Sequence, residues 1–186
     1  MRLLDEHAPW LQKLSVSEFG SAVGEGGRFG IGALLVVERA CSRELLFVRK
    51  AYRLGFAGNG QLAFPGGMIR PSEPHASIES WIRSSLTTRA AAEVGLDLHS
   101  CGEISPLDGM PPVVAVYTAK GRRRHTVILP FTLSLAQVFR PWAQDSTVYD
   151  PEWRDPRKLW SEITPTNRLI TAYYLWSTPR LNASAI

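Results

Sequence analysis

A chain of 186 residues suits one folding unit with a sizeable core, and its 45% hydrophobic and 20% charged content excludes an intrinsically disordered protein. A net charge of +4 with a pI near 9.3 fits an anionic small molecule as well as it fits nucleic acid, so charge selects neither. Cys41 and Cys101, the two cysteines, exclude a disulfide framework or a zinc knuckle and read as reduced structural residues.

The opening MRLLDEHAPW carries acids and no continuous apolar segment, and no apolar run approaches membrane-spanning length, so a cytoplasmic location is expected. Residues 1–30 read as an N-terminal extension to a single domain covering 1–186. Within it Trp10, Leu11 and Leu14 stand at helical spacing, and the glycine-rich stretch from Gly24 to Gly30 interrupts regular structure. Ala33–Val37 is a continuous apolar run, as a strand buried on both faces requires, and Leu45–Val48 is a second one. Residues 39–43 between them are a polar connection of hairpin size. The irregular AYRLGFAGNGQLAFPGG that follows has the length of a functional loop.

Ala76–Ala92 is dense in helix formers and free of Gly and Pro, with Ile78, Trp81, Ile82 and Leu86 on one face and Gly95 as its terminator. Strands are expected at Val113–Thr118 and Thr126–Leu133, with Arg122, Arg123 and Arg124 in the turn between them. That basic run either meets a phosphorylated ligand or is simply solvated. A weaker strand candidate lies at Ser146–Tyr149. The closing helix begins near Pro165 and should bury Leu169, Tyr173 and Trp176.

Residues 64–96 resemble the Nudix box, G-x5-E-x7-R-E-U-x-E-E-x-G-U with U aliphatic. Phe64-Pro65-Gly66-Gly67 opens it, Glu73 falls at the five-residue gap, and Glu93-Val94-Gly95-Leu96 closes it. The resemblance covers the chain from Gly32 to Trp176 and implies an α/β fold, a Nudix-type α/β/α sandwich with a mixed β-sheet. The lead-in Gly60-Gln61-Leu62-Ala63-Phe64-Pro65-Gly66-Gly67 is similar to the G-Q-x-x-F-P-G-G run of the coenzyme A pyrophosphatase branch.

The departures from the pattern bear on chemistry. Counted back from Gly95, the box arginine falls on Thr88 and the three carboxylate positions fall on Arg89, Ala92 and Glu93; the stretch after Glu73 is about seven residues too long. On a helix the normal motif aims three carboxylates at one point, which suits magnesium's demand for oxygen ligands. Here Glu93 alone remains as a metal ligand. A divalent ion about 5 Å from the Arg89 guanidinium would meet roughly 6–7 kcal/mol of repulsion at an effective dielectric near 20.

The resemblance therefore implies a degenerate site. Glu93 and Glu152, the latter expected in a proline-bounded loop with Asp150 and Asp155, are the catalytic candidates, with Mg2+ or Mn2+ held weakly if at all. Gly66, Gly67, Arg89 and Trp153 are the substrate-binding candidates, Arg89 as a bidentate phosphate clamp. A plain Arg89–Glu93 ion pair is the alternative. Trp142, Tyr149, Trp153 and Trp160 either line a pocket or pack the core, while His75, His125 and Glu73 read as structural or surface residues.

The expected ligand is an anionic small molecule, with nucleic acid and membrane disfavoured and a homodimer implied by the family. Three functions fit: a divergent hydrolase of a nucleoside-diphosphate-linked or coenzyme A-like diphosphate, a metal-independent isomerase, cyclase or lyase, and a non-catalytic nucleotide-ligand sensor.

Overall fold

A strand can be apolar along its whole length only when both of its faces are covered, and the Ala33–Val37 run lies in such a strand. The computed structural model describes residues 11–23, 29–40, 42, 44–53, 58–70, 76–119, 122–136 and 139–178. Trp10, Cys41, Glu73 and His75 lie outside them.

Strand β1 (Phe29–Arg39) turns Ile31, Ala33, Leu35 and Val37 into one apolar cluster and Leu34 and Val36 into another. It starts inside the segment expected to be irregular, at Phe29. The remaining strands are β2 (Leu45–Lys50), β3 (Leu62–Ala63), β4 (Gly66–Met68), β5 (Ser105–Pro106), β6 (Val113–Ala119), β7 (Arg122–Leu135) and β8 (Val148–Arg154). All eight join in one sheet. β1 runs parallel to β7 and antiparallel to β2 and β4, so the sheet is mixed.

Helices α1 (Val16–Val23) and α2 (Ile78–Val94) cover one face of this sheet; α3 (Pro165–Ser177) covers the other. The α/β/α arrangement expected from the sequence is therefore present. Ser15 and Glu18 cap α1 reciprocally, and Ser77 and Ser80 do the same for α2. Among the described residues no helix is long and apolar enough to cross a membrane.

Three expectations are corrected. Arg122–Arg124 do not form a turn; their backbone continues β7 and pairs with Tyr117–Ala119. α3 is rotated from its expected face: Asn167, Ile170, Thr171 and Tyr174 are buried, while Leu169 is 54% and Trp176 77% exposed. Two polar anchors set that rotation, because Asn167 Oδ1 accepts the Phe64 N–H at 2.8 Å and the Tyr174 hydroxyl donates to Glu38. An apolar periodicity count cannot see such anchors. Finally, β8 begins at Val148 and runs to Arg154, so of the three acids expected in a loop Asp150 and Glu152 sit on a strand, and Asp155 follows its end.

Candidate functional site

The C-terminal half of α2 carries the site. Residues 85, 88, 89, 92 and 93 recur at helical spacing and share one side of the helix, which faces a cleft. Gly95 ends α2 in the left-handed conformation (φ 73°), and the chain returning at 142–145 bonds to the last carbonyls: Trp142 N–H to Val94 O at 3.1 Å, Gln144 and Asp145 N–H to Ala92 O at 2.8 and 2.9 Å. Satisfying those orphan carbonyls brings the Asp145 side chain to the site.

Glu93 is 2% exposed. Its Oε2 accepts the Gly66 N–H at 2.8 Å and its Oε1 accepts from Arg89 Nη1 at 3.3 Å. The same Nη1 donates to Asp145 Oδ2 at 3.0 Å. Burial pushes the Glu93 carboxyl up to about 7; the Gly66 N–H and Arg89 pull it down, and the Asp145 charge pushes it up again. Burial also raises the Asp145 carboxyl, but the Thr147 backbone and side-chain donors, together with Arg89 and Arg53, outweigh it and hold Asp145 below its ordinary value. The Lys50 ammonium is lowered by burial, partly offset by Glu93.

The cleft has a larger part of about 510 Å3, lined by Trp81, Ser84, Ser85, Thr88 and Asp145 among others. An inner part of about 240 Å3 is lined by Lys50, Asn59, Gly66 and Glu93. Arg53, Arg70 and Arg89 border both. Each is held by a local device. Asn59 accepts the Arg53 N–H and donates to the Arg53 carbonyl, Trp81 Nε1 donates to the Arg70 carbonyl, and Arg89 is pinned by its two carboxylates. Among the described residues the cleft is thus net positive, with one buried acid, Glu93, in its lining.

The arrangement of sheet and helices matches solved structures closely enough to place the fold. The NUDIX domain of NrtR from Shewanella oneidensis, solved with ADP ribose, aligns with a TM-score of 0.59 at 12% identity, covering 78% of this chain and 85% of that one. MutT NUDIX hydrolase from Burkholderia pseudomallei aligns with a TM-score of 0.56 at 15% identity over 80% and 98% of the two chains. A C. elegans Ap4A hydrolase does so with 0.54 at 12% over 83% and 98%. The fold is the Nudix fold. No family model matches the sequence, and no curated protein is detectably similar to it.

On this Nudix fold, Arg89, Ala92 and Glu93, the three positions reached by counting back from Gly95, all line the cleft. A magnesium cluster of the usual box kind needs several converging oxygens. Here one guanidinium lies between the two carboxylates, and among the described residues no group of three or more His, Cys, Asp or Glu could hold a metal ion. The residues do not fit that cluster.

Glu152 is not brought to Glu93. It stands opposite Phe47, on the α3 side of the sheet, and pairs with Arg49 at 3.8 Å and Arg154 at 2.5 Å. The cause is a register shift between Phe47 and Arg49, where β8 carries one extra residue near Asp150 (φ 44°). That bulge turns Glu152 to the opposite face from the one simple alternation after Val148 would give it. Glu152→Gln should therefore leave ligand affinity and turnover at the wild-type level, measured by calorimetry and steady-state assay.

Trp153 packs into the core on the α1–α2 side, its Nε1 donating to the Phe139 carbonyl at 2.9 Å and the Arg39 guanidinium lying 4.8 Å from its ring centre. Trp142, Tyr149 and Trp160 do not line the cleft either; among the described residues the aromatic that does is Trp81. The Gly66 N–H is committed to Glu93, while Gly67 faces Arg89, whose Nε is 4.0 Å from where a Cβ would stand. His125 is exposed. Sequence reasoning missed Lys50, Arg53, Arg70 and Asp145. The loop length around Arg53 was a signal, but nothing local marked the other three.

Proposed function

We propose that this Nudix-fold protein binds an anionic small molecule carrying a diphosphate, nucleoside-linked or coenzyme A-like, and acts on it by proton transfer at Glu93 rather than through a metal cluster held by its own side chains. The observation that carries this is the composition of the cleft: Lys50, Arg53, Arg70 and Arg89 surround one buried carboxylate with a pKa of about 7. Guanidinium forks recognise phosphate oxygens in a fixed plane. A carboxyl that is about half protonated at neutral pH can both take and give a proton there. The ADP ribose bound by the NrtR domain is a diphosphate of the class this reading requires.

A second reading is favoured by Asp145. Its low-pKa carboxylate at the cleft wall could join the ligand's own phosphates in holding Mg2+ or Mn2+, giving diphosphate hydrolysis of the kind named for the neighbouring MutT and Ap4A enzymes. Turnover of a panel of nucleoside-diphosphate and coenzyme A compounds with and without EDTA separates the two. Activity undiminished by EDTA supports the acid–base reading, and a strict metal requirement overturns it.

The arginines supply a direct check. Arg53→Ala and Arg70→Ala should each weaken ADP ribose binding about tenfold, the roughly 1.5 kcal/mol of one charge-assisted hydrogen bond. Both side chains are exposed, so the fold should be unaffected. Unchanged affinity in both variants would remove the cleft from consideration as the anion site.

A further inference from the structure

Arg89 Nη1 lies within 3.3 Å of Glu93 Oε1 and 3.0 Å of Asp145 Oδ2, so a single nitrogen bridges a carboxylate on its own helix and one that lies 56 residues further along the chain. Its Nε side faces Gly67 across the cleft. A positive centre held between two acids and open to the cleft beyond performs the electrostatic work of a bridging divalent ion. It keeps the carboxylates together and presents charge to an incoming anion. It differs in carrying one charge, in being covalently attached, and in donating along fixed directions.

We propose that Arg89 is a tethered cation standing in the place of a bridging divalent ion, and that the cleft in consequence takes its diphosphate ligand as the free anion rather than as a metal complex. This rests on the anion-binding reading above. The groups around Arg89 support it: Glu93 on α2, Gly67 on β4, Asp145 on the returning segment, Lys50 at the end of β2, and Arg53 and Arg70 lining the same cleft. With four cations against two carboxylates, the pocket is already positive. A ligand arriving with its own Mg2+ would add charge of the same sign, whereas a bare diphosphate neutralises what is there.

Calorimetric titration of inorganic pyrophosphate into chelator-stripped protein tests this, with Arg89→Ala and Arg89→Glu as variants. In the wild type, excess Mg2+ should weaken pyrophosphate binding about tenfold or more. Arg89→Ala should lose metal-free binding and regain it when Mg2+ is added, because the ion enters the space between Glu93 and Asp145. Arg89→Glu should bind Mn2+ alone, which the wild type does not. Mg2+ strengthening pyrophosphate binding to the wild type, or a folded Arg89→Ala that Mg2+ does not rescue, overturns the tethered-cation assignment while leaving the anion site standing. Pyrophosphate failing to bind the wild type in either condition overturns both.

Discussion

Replacing Glu93 with glutamine should make the protein progressively more stable than the wild type as pH rises from 4.5 to about 7, and should cut turnover by about 10²–10⁴-fold. The folded state holds the Glu93 proton up to about pH 7, whereas an unfolded chain releases it near 4.5. Between those values the folded state binds more protons, so each rise in pH draws the equilibrium toward unfolding. Stability that is fully present below pH 4.5 is lost by about pH 7 and does not return above it. The whole interval corresponds to roughly 3 kcal/mol.

Glutamine has the same shape, is neutral throughout, and keeps an oxygen for the Gly66 N–H, so it escapes this loss. Asp145 and Lys50 are present in both proteins, and subtracting the two pH profiles removes the part of their titration that does not depend on the Glu93 charge. Urea unfolding of both from pH 4.5 to 8 measures the difference; parallel profiles would mean that Glu93 does not retain its proton in the folded state. The turnover loss follows separately, since an amide cannot exchange a proton at neutral pH. A variant that is more stable yet inactive identifies a group kept for chemistry at the expense of the fold.

Legibility from sequence followed the range of the forces involved. β1, β2 and α2 are set by local pattern: a run apolar on both faces, or an apolar stripe at helical spacing closed by Gly95. Such patterns are readable because burial acts on every residue of the element. Gly66, Gly95 and the α2 register were readable for the same reason, since local backbone geometry demands them. Glu93 and Arg89 followed from that register.

The residues missed or misplaced depend on distant partners. Asp145 reaches Arg89 only because residues 142–145 satisfy the carbonyls that α2 leaves open at its end, and no feature of PWAQD announces that service. The Arg70 backbone is held by a hydrogen bond from Trp81 to its carbonyl, and Lys50 gains its importance only from the acid that α2 lays beside it. Glu152, expected in a loop, lies on β8, and a single extra residue in that strand sets its face, because a strand's pairing partner, not its own sequence, decides which face each side chain takes. The buried face of α3 was misjudged because Asn167 and Tyr174 are polar anchors that outweigh the apolar count.

Gly66→Ala joins the fold to the site, and it should cost about 3–5 kcal/mol in unfolding free energy. Gly66 has φ 127°, and a Cβ there would stand 2.3 Å from the Ala33 carbonyl oxygen and 3.0 Å from Leu34 Cα. Both obstacles are backbone atoms of β1, which cannot retreat, because its far side is paired residue by residue with β7 from Phe29 to Arg39. β4 must move instead, and with it go the Gly66 N–H bond to Glu93 and the support that the Pro65 carbonyl gives to the Leu35 N–H. Glu93 would then remain buried without its one backbone donor, so its pKa should climb above the present value of about 7. The measurement is therefore double: denaturant unfolding for the fold, and the pH midpoint of turnover for the acid. Gly67→Ala isolates the clash, since Gly67 also has a positive φ (157°) but a Cβ there finds nothing nearer than Arg89 Nε at 4.0 Å, so its cost is that of the backbone conformation alone. A destabilised Gly66→Ala whose pH midpoint is unchanged would show that the β1–β4 contact supports the fold alone; a midpoint that moves upward shows that the same contact tunes the acid.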